Sequence, residues 1–478
     1  MGLRGALAHM IGLDVLATMP AFTSTRQAAV LCPARIGAHN PSLGVPYGIS
    51  LTTEKPTSLS LHDLYRAGII QGPNALVIGA YGTGKSSILK TVFGSRALQA
   101  GTRVALFDRK SQQETGRGLG GEYRRLVETF GGTRIVFDPS AGNGVRINPL
   151  DPAISPKGSD TAGVGQNELL TLMANLGHGA VFIDADKDSM PVDALAAAHR
   201  SALQRAAAQH RIAVLEDVVE ALYNPDVDAV PGPLTDDGSK QLSIEGIVTR
   251  NTVISWGLTV AAALRKWLPG GEYEGLFDGE TRGPDGSDID LSNPLIVFDT
   301  SSLGEGSTML AAVMLLAASW IQGRWMRLAG DKLIIFEENY NASALPGVDA
   351  IQQAFALRGR GQGAAVVTVF HHLSQIPDGS KLWTLARDAE VVLINRQDRD
   401  SDMAQCMKYF GLPRRCADQL PTLPAGCSIV KIGRQPPEIW QHLRTRYETW
   451  MTNTDEGMSG RSIDEPGVSA TVPEWGAS

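Results

Sequence analysis

The sequence predicts an α/β fold: a mainly parallel central sheet flanked by helices, plus a mostly helical insertion. Three observations carry that prediction. Short apolar runs recur at residues 75–78, 103–107, 135–137, 295–298, 333–336, 364–370 and 391–394, as expected of strands covered on both faces. The first run passes through a glycine-rich loop into helically spaced Ile88, Leu89, Val92, Phe93 and Leu98, and then into the second run. Strand, loop, helix, strand is the order of a parallel α/β unit. Between Asp151 and Glu280 the pattern turns helical instead, with an alanine-rich stretch at 192–210.

Taken in order, residues 1–70 read as a lead-in segment, partly irregular, its first 50 residues rich in Ala, Gly and Pro. Residues 71–150 form the first half of the core. The helical insertion covers 151–290, with helices expected at 168–176, 192–210 and 214–222 and another within 247–267. Its segment 224–240, dense in Pro, Gly and Asp, reads as a loop. Residues 291–452 supply the second half of the core, and the polar tail 453–478 is expected to be disordered.

The composition excludes several classes. With 43 Lys and Arg against 50 Asp and Glu, the 478-residue chain carries a formal charge of −7. That argues against a protein coated with nucleic acid, although a local basic pore would not register in the sum. Four cysteines, Cys32, Cys406, Cys416 and Cys427, make neither a disulfide framework nor a zinc motif. A reduced, cytoplasmic protein is expected. The apolar stretches 310–321 and 260–264 fall short of the roughly 20 residues a bilayer requires. His9 and Asp14 interrupt the apolar N-terminal run, so it is not expected to direct export.

The chemistry is carried first by Gly79-Ala-Tyr-Gly-Thr-Gly-Lys-Ser86, a full GxxxxGK(S/T) match between an expected strand and an expected helix. Gly79, Gly82 and Gly84 let the backbone wrap close enough for N–H groups to meet phosphate oxygens. The helix start beyond adds a positive dipole. Gly79, Ala80, Tyr81, Gly82, Thr83, Gly84, Lys85, Ser86 and Ser87 are therefore the candidate nucleotide-binding residues, with Lys85 on the β- and γ-phosphates and Ser86 on magnesium. The apolar run 333–336 ends in Glu337 and Glu338. Glu337 is the candidate magnesium ligand and Glu338 the candidate general base. His371, at the end of run 364–370, is placed to meet the γ-phosphate or position water. Arg358 and Arg360, just before that run, are candidates to reach a neighbouring subunit's nucleotide. ATP and Mg2+ are the expected cofactors.

These elements together resemble the ATPase domain of conjugative-transfer (type IV secretion) ATPases of the TraC/VirB type, within the HerA/FtsK-like class of RecA-like P-loop NTPases. The resemblance runs from Tyr47 to Gly433. It rests on Tyr47-Gly-Ile-Ser50, the glycine loop, Gly121-Glu-Tyr-Arg-Arg-Leu126, Arg146-Ile-Asn-Pro-Leu-Asp151, Gly275-Leu-Phe-Asp-Gly279, Arg358-Gly-Arg360 and His371-His-Leu-Ser374. It departs where Glu337 replaces the family's Asp, where Asn339-Tyr340 replaces Ala-Trp, and where His371 replaces Gln. The stretch before the glycine loop is also short beside the large N-terminal domain that the resemblance implies. What it implies is a motor that hydrolyses ATP to energise conjugative DNA transfer or channel assembly. It further implies a homo-oligomeric ring, by the family's habit a hexamer, with other channel components as partners, DNA as a candidate occupant of the pore, and peripheral contact with the inner face of the cell membrane through those partners. Two other readings stay open: a DNA-translocating coupling ATPase or HerA-type helicase, and a structural ring subunit that binds nucleotide with little hydrolysis.

Overall fold

The computed structural model describes residues 41–114, 118–139, 145–152, 165–184, 188–226, 240–242, 246–283, 286–304, 307–337, 355, 359–376 and 382–453. Eleven strands build one sheet: β1 (Val45–Ser50), β2 (Pro56–Leu59), β3 (Asn74–Ile78), β4 (Arg103–Asp108), β5 (Thr133–Val136), β6 (Leu295–Asp299), β7 (Lys332–Glu337), β8 (Ala364–Phe370), β9 (Val391–Ile394), β10 (Cys427–Ile432) and β11 (Glu438–His442). Their spatial order is β2-β1-β11-β10-β9-β3-β8-β7-β4-β6-β5. The seven strands from β9 to β5 are parallel, and the other four extend the β9 edge antiparallel. This confirms the mainly parallel sheet, and the seven apolar runs are its parallel strands. The antiparallel extension was not anticipated. Residues 45–50, read as part of an irregular lead-in, form β1 instead, with Tyr47 fully buried.

Strand periodicity sorts the side chains into two cores. Leu76, Ile78, Ala105, Phe107, Ile334 and Phe336 point to one face. Ala75, Val77, Val104, Leu106, Leu333 and Ile335 point to the other. The first face packs against the insertion and a helix over Thr308–Gly323 that is buried on almost every side. The stretch Thr308–Arg327 reaches 20 residues and is apolar enough to cross a membrane, longer than the run read from sequence. Since 83% of its most apolar window is buried, its greasy surface is accounted for inside the protein.

Among its described residues the insertion has four main helices, Gln166–His178, Ser189–Ala208, Leu215–Tyr223 and Arg250–Arg265, with a small hairpin of Lys240–Leu242 and Gly246–Val248. Each helix matches an expected one within a few residues at either end. Two motifs of the family resemblance meet at its base: Ile147 donates its backbone N–H to Leu276 O at 2.8 Å, and Arg146 pairs with Asp278 at 3.4 Å.

On the other face lies the helix after the glycine loop. It starts as an α-helix at Lys85–Ile88, widens to π geometry over Leu89–Ser95 and closes at Arg96–Gln99. We call it α1. Such widened turns favour functional positions. The last helix among the described residues, Arg446–Met451, is tied to α1 through Arg96 and Glu448, whose atoms meet at 2.7 Å.

Candidate functional site

Four neighbouring strand ends repeat one pattern, phenylalanine then acid: Phe336-Glu337, Phe107-Asp108, Phe298-Asp299 and Phe137-Asp138. The rings stack in a row, with centroids 5.1 Å apart for Phe107–Phe336, 5.0 Å for Phe107–Phe298 and 6.5 Å for Phe137–Phe298. All four phenyl groups belong to the core on the insertion side. Successive strand residues alternate faces, so the acid after each Phe on β7, β4 and β6 turns toward the α1 side. Glu337, Asp108 and Asp299 thereby reach the carboxyl ends of the parallel strands, where nucleotide sites of open α/β sheets form.

The glycine loop connects β3 to α1. Gly82 and Gly84 hold φ of 70° and 100°, backbone conformations that L side chains rarely adopt. The loop is braced from the antiparallel side of the sheet: Thr83 O accepts from Asn395 Nδ2 at 2.9 Å and from Gly426 N at 3.0 Å. Around Gly82 an added Cβ would meet nothing within 4 Å. The first amides of α1 lack intrahelical acceptors, as at any helix start, and so are available to anionic oxygens.

Lys85 is buried, and its Nζ donates to Gly79 O at 2.5 Å and to Ala80 O at 2.9 Å, with His371 Nδ1 at 2.9 Å. An ammonium only donates, so His371 Nδ1 is the acceptor and the ring carries its proton on Nε2. Tyr81 stacks on that ring at 3.8 Å between centroids. Loop lysine and strand-end histidine, expected separately, are in direct contact.

Ser86 Oγ donates to Glu337 Oε1 at 3.0 Å. Tyr123 OH donates to Glu337 Oε2 at 2.6 Å, and Lys110 Nζ lies 3.5 Å from Oε1. Beside them Lys90, from the π segment of α1, pairs with Glu122 at 3.1 Å, both almost wholly buried. Burial, then Asp299, Glu122 and Glu337, push the Asp108 carboxyl well above its usual range. Burial acts the same way on Glu122, but Lys90 and Lys110 outweigh it and hold that carboxyl below its ordinary value. Burial, with Glu337 next, also pushes the Tyr123 phenol well up, so it stays a hydrogen-bond donor at neutral pH.

The structure thus brings Gly79 to Ser87, Glu337 and His371 together. Ser87 faces away from the acids, its Oγ accepting from Arg444 at 3.2 Å. Arg360 does not join them. It lies in the turn Gly359–Gln362 at the start of β8, across the length of that strand from His371, with its Nη1 3.5 Å from Gln71 O. At ~3.3 Å per residue that separation is about 23 Å. Glu338 and Arg358 lie outside the described residues, as do Asn339 and Tyr340. The reading of single site residues missed Lys90, Lys110, Glu122 and Tyr123. Gly121-Glu-Tyr, quoted there only as part of a resemblance, was the signal that could have found two of them.

The donor set suits a magnesium nucleotide. Ser86 and Glu337 offer adjacent hard oxygens, and magnesium typically takes one or two protein oxygens and completes its shell with phosphate and water. No group of three or more His, Cys, Asp or Glu side chains forms a metal site of its own among the described residues.

No protein-family model matches the chain, and no curated protein matches its sequence. Its fold is that of RecA-like P-loop NTPases. It superimposes on VirB4 of Thermoanaerobacter pseudethanolicus with a TM-score of 0.62 and 16% identity, over 86% of this chain and 99% of that one. The plasmid coupling protein TrwB, solved with a non-hydrolysable ATP analogue, gives a TM-score of 0.50 and 15% identity, over 86% of this chain and 97% of that one.

Proposed function

We propose that this chain is an ATP-binding and ATP-hydrolysing motor of a conjugative DNA-transfer or type IV secretion system. The observation that carries the reading is the 3.0 Å contact between Ser86 of the glycine loop and Glu337 of β7, with Lys85 and His371 meeting beside it. The fold shared with VirB4 and with the coupling protein TrwB supports the placement in conjugative transfer.

In this reading the start of α1 and the loop amides hold the polyphosphate, and Lys85 exchanges its carbonyl contacts for β- and γ-phosphate oxygens. Bound magnesium would supply charge neutralisation at phosphate oxygens. Ser86 and Glu337 would hold it, and the Tyr123 hydroxyl keeps the Glu337 carboxylate turned toward Ser86. Glu338, the next residue along, orients the attacking water and accepts its proton. His371 meets the γ-phosphate through its contact with Lys85, so loss of that phosphate is felt at the end of β8. Arg360, remote from its own chain's loop, serves a neighbouring protomer in a ring, and Arg358 is the second candidate for that role.

The test is turnover of ATP by the purified protein, with and without DNA, against Lys85→Ala. Magnesium-dependent hydrolysis lost in the variant is the expected result. Nucleotide binding without turnover would favour a structural ring subunit. Turnover unchanged by Lys85→Ala would discard the site.

A further inference from the structure

We propose that Glu122 is a second carboxylate of the magnesium–nucleotide site, a positioning residue whose Oε2 accepts a hydrogen bond from water in the metal's shell. This inference rests on the nucleotide-binding reading above.

Glu122 is 4% exposed, and its two oxygens have different surroundings. Oε1 is neutralised by Lys90 at 3.1 Å. Oε2 is buried with no hydrogen-bond partner among the described residues. It faces Lys110 Nζ at 3.9 Å, and that ammonium in turn lies 3.5 Å from Glu337 Oε1. Ser86 stands within hydrogen-bonding reach of both acids: it helps lower the Glu122 carboxyl, while its single hydroxyl proton is donated to Glu337 Oε1 at 3.0 Å. The open acceptor of Glu122 therefore lies beside the ammonium that also faces Glu337, with Ser86 next to both acids.

A buried charged oxygen without a donor is costly, and such groups are rare in folded proteins unless something else satisfies them. Magnesium gives up its water reluctantly and keeps several molecules when bound. A metal held between Ser86 and Glu337 brings such donors to Glu122. The Lys90 pair makes a second acid tolerable there. Lys90 and Lys110 balance Glu122 and Glu337, so the extra carboxylate adds no net repulsion toward phosphate. It also explains why a lysine is buried in the π segment of α1: Lys90 fixes Glu122 by one oxygen and leaves the other free to serve.

The experiment uses the full chain, with Mn2+ as a spectroscopic stand-in for magnesium and ADP as the nucleotide. Glu122→Gln keeps the shape but weakens the acceptor. Because it leaves Lys90 without its counter-charge, the double variant Lys90→Met with Glu122→Gln is measured beside it. ADP affinity is titrated with and without metal, and Mn2+ bound in the ADP complex is followed by electron paramagnetic resonance. Both variants should need at least ~10-fold more Mn2+ to saturate the complex, the usual cost of losing an outer-shell partner. Metal-free ADP affinity should shift far less. A folded variant with the wild-type Mn2+ requirement would overturn the proposal, leaving Glu122 as a counter-ion for Lys90. If the wild-type chain itself shows no Mn2+-dependent ADP binding, the nucleotide reading fails, and this inference fails with it.

Discussion

Replacing Gly84 by alanine tests how the phosphate loop is held in shape. The residue has φ of +100°, and an added Cβ would lie 3.1 Å from Gly426 N and 3.3 Å from Gly426 Cα. The conformational cost of a side chain at positive φ is about 1–2 kcal/mol. The steric cost falls on backbone, which cannot rotate away. Gly426 must retreat by a few tenths of an ångström, and its N–H is one of the two donors on Thr83 O, at 3.0 Å. Losing that bond costs about 0.5–1.5 kcal/mol. The stiffer unfolded chain returns about 0.4–1 kcal/mol, leaving a net destabilisation of about 1–3 kcal/mol. Gly82→Ala is the internal control. Its φ is also positive, at +70°, but nothing stands within 4 Å of the new methyl, so it carries the conformational cost alone. Urea denaturation of both variants, with nucleotide-analogue affinity measured alongside, separates the two costs. Gly84→Ala should be the less stable by about 1 kcal/mol, and it should bind nucleotide more weakly. Equal stability, or greater damage from Gly82→Ala, would refute the claim that Gly426 braces the loop.

Other outcomes follow from the same geometry. Lys85→Ala should lower turnover by at least ~10²-fold, measured as phosphate release, because the lost ammonium stabilises charge on the transferring phosphoryl group. Glu337→Gln should raise the magnesium requirement, whereas Glu338→Gln should keep ATP bound and slow hydrolysis by at least ~10²-fold; the opposite assignment of the two effects would reverse their roles. His442 is buried, its Nε2 2.7 Å from Thr91 Oγ1 on α1, and burial followed by Arg96 lowers its pKa to about 3. The unfolded chain takes up that proton near pH 6.5 and the folded one does not, so stability should fall as pH drops from 6.5 toward 3, by up to about 2 kcal/mol at pH 5. His442→Gln should flatten that slope in urea titrations, and an unchanged slope would assign the acid sensitivity elsewhere. Mixing Arg360→Ala with Lys85→Ala protein should restore part of the activity if the arginine acts across a subunit interface; no recovery in confirmed mixed assemblies would count against it.

Much of this could be read from the residues because the signals are local. The glycine loop, the apolar strands and the acid at the end of β7 each lie within one short segment, where spacing and residue type suffice. The brace on the loop could not be read so. Asn395 and Gly426 reach Thr83 from more than 300 residues away, and nothing in either local pattern marks them as partners. The same holds for Tyr123 and Glu337, separated by 214 positions. The repeated phenylalanine–acid ending of four strands was readable, and it would have placed Asp108 and Asp299 on the side of Glu337. β1, β10 and β11 were missed because they pair antiparallel, mix polar with apolar residues, and draw their register from one another. The place of Arg360 was legible too: standing just before β8 in sequence, it lies at the opposite end of that strand from His371.

The pairing of β1 with β11 also sets a timetable. Ser50 bonds to Glu438, 388 positions later, and α1 is clasped by His442 and Glu448. Contacts of such separation close last. At a synthesis rate of ~5–20 residues per second, the early strand waits roughly 20–80 s for its partner to leave the ribosome. For that interval the edge of β1 and one flank of α1 are exposed, so the newborn chain needs shelter from aggregation. The brace that Gly426 puts on the glycine loop likewise forms only after that late stretch of the chain has been made.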